Sequence, residues 1–346
     1  MRIGGLDFVR GMAILLVLLR HGMDKGILHQ IGWIGVDLFF VLSGFLISSL
    51  VFKEYKRNGT FQSGRFLWRR AFKIYPAFFF YVLVGLLLNY YEHDLIYEPR
   101  LILNEVFFLQ SYLPHIWSHT WSVAVEEHFY FALALIAAWR IPKWNPKSNR
   151  LLFGMIFLLL LTFSLRLKAC LANTDSSSFA FTATHLRMDG ILIGVMVAFL
   201  IHFRNAKEFL SNHKWHTTLA CLSFIWPPFV FSGESFFMNT IGLSIMNLGF
   251  GLLILLVSEA DFSFKLDGLR WLHWIKTAVC FIGINSYAIY LWHLLVQQEL
   301  FRFQFSGILG TLIYLAASIL IGVIFTFLIE RPMLKWRESW SYSKQS

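Results

Sequence analysis

Charge is the scarcest property of this 346-residue chain. Asp, Glu, Lys and Arg make up 14% of it, against about 25% in soluble domains. Polar stretches are short as well, and none that reads as soluble exceeds about 25 residues. A second, soluble domain is therefore not expected. Cysteine is nearly absent. Cys170, Cys221 and Cys280 are far apart, odd in number and set in or beside apolar runs. They have no metal-ligand spacing, so free, buried thiols are expected, with no disulfide framework and no metal. No internal repeat or low-complexity tract stands out.

What fills the chain is hydrophobic, 57% of all residues, with 18% aromatic. Apolar runs of spanning length fall near 6–23, 31–52, 71–91, 118–139, 151–168, 185–203, 215–232, 236–258, 274–296 and 307–329. They predict an all-α polytopic membrane protein of about ten helices. A single transmembrane domain over 1–340 is expected, with a short cytoplasmic tail at 341–346. Residues 101–116 are apolar but short, end near Pro114, and read as a re-entrant or interfacial segment. The N-terminal run is not read as a cleaved signal, because Arg10, Arg20 and His21 interrupt it and no small-residue cleavage site follows.

The net charge of +10 would raise nucleic acid as a partner in a soluble protein. Here the distribution points to topology instead. With the N-terminus inside, the cytoplasmic segments hold 20 Lys and Arg, and the outer loops hold only Lys25, Arg100 and Arg302. That bias predicts N-in and C-in, and no nucleic-acid partner.

Ionisable residues inside spans are costly and mark sites or pathways. The first run, "VRGMAILLVLLRHG", holds two of them eleven residues apart, Arg10 and His21. Eleven steps are about 20° past three helical turns and rise about 16 Å, so both share one face. Snorkelling to the two headgroup layers is the alternative for this pair, and it suits Arg20 better than a functional role does. Other intramembrane candidates are Asp37 with Ser43, Glu126 and Glu127 with Tyr130, Arg187 with Asp189, and His293. Of the two adjacent glutamates, one is expected to point inward and the other towards the rim. Arg187 is expected to pair with an inward carboxylate, and His293 reads first as a satisfied interhelical hydrogen bond. The most basic stretch is 53–76, where Arg69, Arg70 and Lys73 fall one turn apart before the third span. Topology and attraction to anionic lipid explain such a stretch. Its functional reading is a phosphate-rich ligand, held by forked contacts from Arg and point-charge contacts from Lys.

Taken together, "LDFVRGMAILLVLLRH", "GVDLFFVLSGFLI", "RRAFKIYP", "TWSVAVEEHFY", "RMDGILIG", "SYAIYLWH" and the closing "ERP" resemble the acyltransferase 3 family of membrane proteins. The motifs follow that family's order from Leu6 to about Trp336. The resemblance implies about ten core helices in a bacterial cytoplasmic membrane. It also implies transfer of an acyl group, most often acetyl from acetyl-coenzyme A, to a hydroxyl of a surface polysaccharide, lipid-linked glycan or small acceptor. No esterase-like extension of the kind some members carry is expected. Essential roles fall on Arg10 and His21, and coenzyme A binding falls on the arginine motif. Two positions depart from the family pattern. Lys73 stands where the motif has its second arginine, and Arg20 precedes His21 where an apolar or aromatic residue is usual.

The expected mechanism uses the Arg10–His21 spacing. Arg69, Arg70, Lys73 and Arg10 hold the nucleotide of acyl-coenzyme A at the cytoplasmic mouth, and its pantetheine arm carries the thioester towards His21. His21 is the general base, oriented by Glu126, with Ser43 or Tyr130 as candidate oxyanion donors. An acyl-histidine intermediate is the alternative route. Asp37, Ser43, Glu127, Tyr130, Arg187, Asp189 and His293 remain as candidate acceptor-binding groups. The rival classes are a proton-coupled transporter and a subunit of a glycan export complex. The transporter lacks support from repeated hydropathy or paired Gly/Pro-broken helices.

Overall fold

The computed structural model describes residues 4–140, 145–172, 181–260, 270–301 and 307–342. Arg302, parts of the basic loops 140–150 and 259–273, and residues 343–346 of the tail lie outside the described residues.

The described chain is all-α. Its elements are α1 (Gly4–Gly22), α2 (Ile27–Ile31), α3 (Ile34–Asn58), α4 (Ser63–His93), α5 (Pro99–Val106), α6 (Trp121–Arg140) and α7 (Arg150–Ala172). There follow α8 (Thr184–Phe203), α9 (Ala206–Ile225), α10 (Leu243–Glu259), α11 (Arg270–Ile284), α12 (Ser286–Phe301), α13 (Gly307–Phe325) and α14 (Arg331–Tyr342). Single π-helical turns, Met238–Gly242 and Thr326–Glu330, lead into α10 and α14. Each of the ten expected spans lands on a helical stretch. Seven of these are long and apolar enough to cross a membrane by themselves. The α11–α12 pair makes an eighth if it is one crossing. Helix α1 carries more charge than that criterion allows, through Asp7, Arg10 and Arg20, and α9 is too polar for it, with Ser211, Asn212, His213, Lys214 and His216 near its middle.

The expected span 274–296 is not one straight rod. It bends by 80° between α11 and α12. The break falls at Asn285, whose side-chain amide donates to the Phe281 carbonyl at 2.7 Å. That bond takes a carbonyl the helix ladder would otherwise use, a common cause of helix interruption. Residues 101–116 behave as the sequence suggested, as a short helix followed by irregular chain rather than a span. Glu105, fully buried on α5, gathers that chain. It accepts hydrogen bonds from the Ile116 and Trp117 amides (3.0 and 3.4 Å) and from the Thr120 hydroxyl (3.2 Å).

Two close helix crossings build the frame, and both depend on glycine. The most extensive one sets α3 on α8. A methyl group added at Gly44 would overlap the Ile191 carbonyl, and one added at Gly194 would overlap the Val41 carbonyl. The second sets α1 on α11, with Gly11 against the Val279 carbonyl and Gly283 against the Asp7 carbonyl. In lipid, where apolar contact alone does not drive helices together, such backbone approach supplies the packing energy.

Candidate active site

Three cavities follow one another along α1. The first opens at the basic end of the molecule, where the end of α3, the start of α4 and α14 meet. It holds about 820 Å³ and is lined by Arg10, Lys53, Arg57, Arg65, Arg69, Arg70, Lys73 and Arg337, with Glu54 as the sole lining acid. The basic motif reads as a loop in the sequence. In the structure α4 begins at Ser63, so Arg69, Arg70 and Lys73 are fixed on a rigid helix.

Arg10, Arg70 and Lys73 also line the second, inner chamber of about 170 Å³, together with Ser43, Glu126, Glu127, Tyr130, Tyr287 and Tyr290. Arg10 is held by Asp7, one turn earlier, at 3.2 Å. Lys73 pairs with the buried Glu330 of the closing "ERP" motif, which joins these distant segments in the fold. The Arg70 guanidinium lies 5.3 Å from the Tyr130 ring centre.

The two adjacent glutamates depart from expectation, because both line this chamber. Glu126 accepts from Ser43 of α3 at 2.9 Å and from Tyr130 at 2.5 Å. Glu127 accepts from the Tyr75 hydroxyl of α4 at 3.0 Å. Adjacent helical residues point about 100° apart. The chamber wraps around α6 widely enough to take both directions.

The third cavity lies at the other end of α1. It holds about 440 Å³ and is lined by His21, His119, His293, Arg20, Trp33, Trp121, Phe181, Tyr290, Glu234 and Asn239, among others. Val36 and Tyr290 line both this cavity and the inner chamber, so the two adjoin. His21 projects from the last turn of α1, whose end is pinned twice. Gln297 donates to the His21 carbonyl, and Thr311 donates to the Gly22 carbonyl at 2.6 Å. Arg20, for which the sequence favours snorkelling, does not stand free. It donates to the His29 carbonyl at 2.9 Å and closes the turn into α2.

The sequence-derived residues thus fall into three groups. Arg10, Arg69, Arg70 and Lys73 meet at the mouth. Ser43, Glu126, Glu127 and Tyr130 meet in the inner chamber. His21 and His293 meet in the outer cavity, with ring centres 5.1 Å apart. Glu126 therefore does not stand beside His21 as its orienting carboxylate, and Ser43 and Tyr130 are engaged by Glu126. Asp37, Arg187 and Asp189 line none of the three cavities. Arg187 pairs with Asp37 at 2.7 Å, both side chains being at most 2% exposed. Asp189 pairs with Arg166 at 2.7 Å, a partner the sequence reading missed. These pairs brace α3, α7, α8 and α10 behind the outer cavity.

His119 was also missed. It sits two residues before α6, just upstream of the "TWSVAVEEHFY" motif, in chain with no regular structure. Its ring is 5.1 Å from that of His293. Its Nε2 reaches the Leu291 carbonyl of α12 at 3.1 Å, across 172 positions of sequence, and no local spacing encodes that contact. The three cysteines are free, but only Cys221 is buried. Among the described residues no group of three or more His, Cys, Asp or Glu is placed to hold a metal ion.

Apolar helices around a cation-lined mouth and a histidine-lined cavity make this an all-α polytopic membrane protein with polar cavities along one helix. A family model described as an acyltransferase domain matches residues 3–331, and the chain belongs to that family. Among similar proteins, the peptidoglycan O-acetyltransferase OatA of Listeria monocytogenes is 26% identical over 95% of this chain and 55% of its own. The O-acetyltransferase OatA of Staphylococcus aureus is 24% identical over 96% of this chain and 57% of its own. A third relative, from Staphylococcus aureus strain COL, is 27% identical over 98% of this chain and 59% of its own. The chain spans less than three fifths of the length of these relatives. No solved structure matches.

Proposed function

We propose that the chain is an integral-membrane O-acyltransferase of the bacterial cytoplasmic membrane. It would move an acetyl group from cytoplasmic acetyl-coenzyme A to a hydroxyl of a cell-envelope glycan on the outer side. The observation that carries this reading is the order of the cavities along one helix. A mouth with eight cations and one acid leads through a narrow polar chamber to a cavity with an imidazole.

In this reading the mouth residues Arg69, Arg70 and Lys73 bind the nucleotide phosphates, with Arg10 at the entrance to the inner chamber. The rise of about 16 Å from Arg10 to His21 is of the order of the pantetheine arm. His21 takes the proton of the acceptor hydroxyl as that oxygen attacks the thioester carbonyl carbon. The tetrahedral intermediate collapses with cleavage of the carbon–sulfur bond. The leaving thiolate then recovers the proton from the His21 imidazolium, so the enzyme ends unchanged. Trp33, Trp121 and Phe181 offer flat apolar faces to a sugar in the same cavity.

The test is membranes containing the chain, incubated with radiolabelled acetyl-coenzyme A and envelope glycan. Acceptor-dependent release of free coenzyme A is expected from the enzyme and not from a transporter or scaffold. His21→Ala is expected to abolish release while the protein still inserts and elutes as a folded species. Near-normal turnover in that variant would remove His21 from the mechanism.

A further inference from the structure

The triad arrangement requires a group that holds the base in the correct tautomer, and in this fold Glu126 is bonded elsewhere. We propose that His293 is the positioning residue for His21. Its Nε2 lone pair would accept the resident N–H of His21 and leave the other His21 nitrogen free to take the proton of the acceptor hydroxyl. This inference rests on the reading of His21 as the base.

The geometry of His293 supplies the argument. Its Nδ1 lies 2.6 Å from the Tyr290 carbonyl. A carbonyl only accepts, so Nδ1 carries the proton and Nε2 is left as a bare lone pair. The ring is fully buried, and Nε2 has no hydrogen-bond partner. A buried acceptor left unmade keeps its full desolvation penalty, so it calls for a donor. His119 is not that donor. Its Nε2 donates to the Leu291 carbonyl, and its Nδ1 is itself a buried, unpartnered acceptor. Two lone pairs cannot bond each other. His119 instead packs edge-on at 82° against His293 and fixes the plane of that ring.

His21 is placed to be the donor. Two imidazoles joined by one N–H···N bond of about 3 Å have ring centres on the order of 5 Å apart. The observed spacing is 5.1 Å, with the planes at 57°. As the rings stand no hydrogen bond joins them. The proposed bond needs the His21 ring to turn about its χ2 torsion, which is soft and roughly two-fold. The ends of α1 and α12 are already fixed to each other by the Gln297 amide on the His21 carbonyl, so only the side chain need move. No proton passes to His293. It accepts one hydrogen bond before the reaction and a stronger one while His21 is an imidazolium.

Two isosteric replacements separate this role from a structural one. In His293→Asn the side-chain amide nitrogen overlays Nδ1, keeps the bond to the Tyr290 carbonyl and removes the Nε2 acceptor. In His293→Gln the terminal amide reaches the Nε2 position, restores an acceptor for His21 and loses the Tyr290 bond. Initial rates of acetyl-coenzyme A turnover would be measured for both variants in membranes with envelope glycan, beside melting temperatures of the purified full chain. The expected result is that His293→Asn melts like the parent but loses about 100-fold in kcat, with KM for acetyl-coenzyme A unchanged. His293→Gln is expected to keep kcat within about tenfold of the parent even if it melts lower. The opposite order, an active Asn variant and an inactive Gln variant, would overturn the proposal and leave His293 a structural residue. Equal loss in both, with unchanged melting, would also overturn it. If His21→Ala itself keeps its turnover, the fault lies with the choice of base and not with His293.

Discussion

Truncating Asp37 to alanine leaves the Arg187 guanidinium 1% exposed with no carboxylate in contact. The pair is held by one Nη2–Oδ1 bond of 2.7 Å, while Nε and Nη1 of Arg187 and Oδ2 of Asp37 have no hydrogen-bond partner. The remaining support for the cation is the rings of Phe181 at 4.7 Å and Trp121 at 5.5 Å. Breaking a buried pair by removing one member costs about 3–5 kcal/mol. At roughly 2 °C per kcal/mol for a large chain, the melting temperature should fall by about 6–10 °C. Removing both charges, as Asp37→Ala with Arg187→Met, leaves no uncompensated ion and should restore most of that loss. Arg166→Met should be worse than either. Arg166 donates to the Leu186 and Thr240 carbonyls, to Asp189 and to Ser244, at 2.5–3.1 Å; without it the buried Asp189 loses its cation and keeps the Gly190 amide and the Ser244 hydroxyl. The assay is thermal melting of the purified chain in detergent, read by loss of the folded peak on size exclusion. Turnover is then measured per folded molecule. The reasoning is refuted if Asp37→Ala melts like the parent yet loses acetyl transfer, because the pair would then belong to substrate binding rather than to the frame.

Two further outcomes follow from the mouth and the helix crossings. Under the proposed reading, Arg69→Ala with Arg70→Ala should weaken acetyl-coenzyme A binding by at least about tenfold, through lost charge-assisted contacts to phosphate. In the parent, raising salt from 0.1 to 1 M, where the screening length falls from about 10 to 3 Å, should weaken binding more than it does in the double variant; equilibrium binding of the labelled donor reads both. Gly44→Leu should abolish recovery of folded protein by forcing α3 off the Ile191 carbonyl, whereas Gly59→Ala, at φ +69° with nothing within 4 Å, should cost about 1–2 kcal/mol of backbone strain alone, as read by the same melts.

Hydropathy carried the fold because a bilayer imposes length and apolarity on every crossing. That is why the helix positions read from the sequence recur in the structure. The bend at Asn285 escaped, since a side-chain amide competing for one carbonyl does not alter the hydropathy of 274–296. The site was legible where one helix carries its geometry. Arg10 and His21 on α1, and Arg69, Arg70 and Lys73 on α4, are related by helical phase alone. It was illegible where contacts join distant elements. Neither the pairing of Lys73 with Glu330 nor the approach of His119 to α12 follows from any local spacing. The glutamates show a third case. Phase correctly sets Glu126 and Glu127 about 100° apart, but it says nothing of how wide a chamber faces them.

That chamber supplies the last step of the reasoning. Its volume of about 170 Å³ is a fifth of the mouth's 820 Å³. Its lining sets two carboxylates against three cations, Arg10, Arg70 and Lys73, where the mouth sets a single acid against eight cations. A phosphate drawn to the mouth gives up most of that cation excess and its hydration if it moves further in, because Glu126 and Glu127 offset the three cations and little water fits beside it. An uncharged, thin arm meets neither penalty. Under the proposed reading the inner chamber thus acts as a filter on charge as well as on width. It holds the polyanionic end of the donor at the basic end of α1 and lets only the thioester reach the histidines. Neutralising the filter with Glu126→Gln and Glu127→Gln should then leave binding at the mouth intact. It should relax the register between mouth and cavity, with transfer falling more than donor affinity. Loss of donor affinity in parallel with transfer would show that the carboxylates hold the mouth in shape instead.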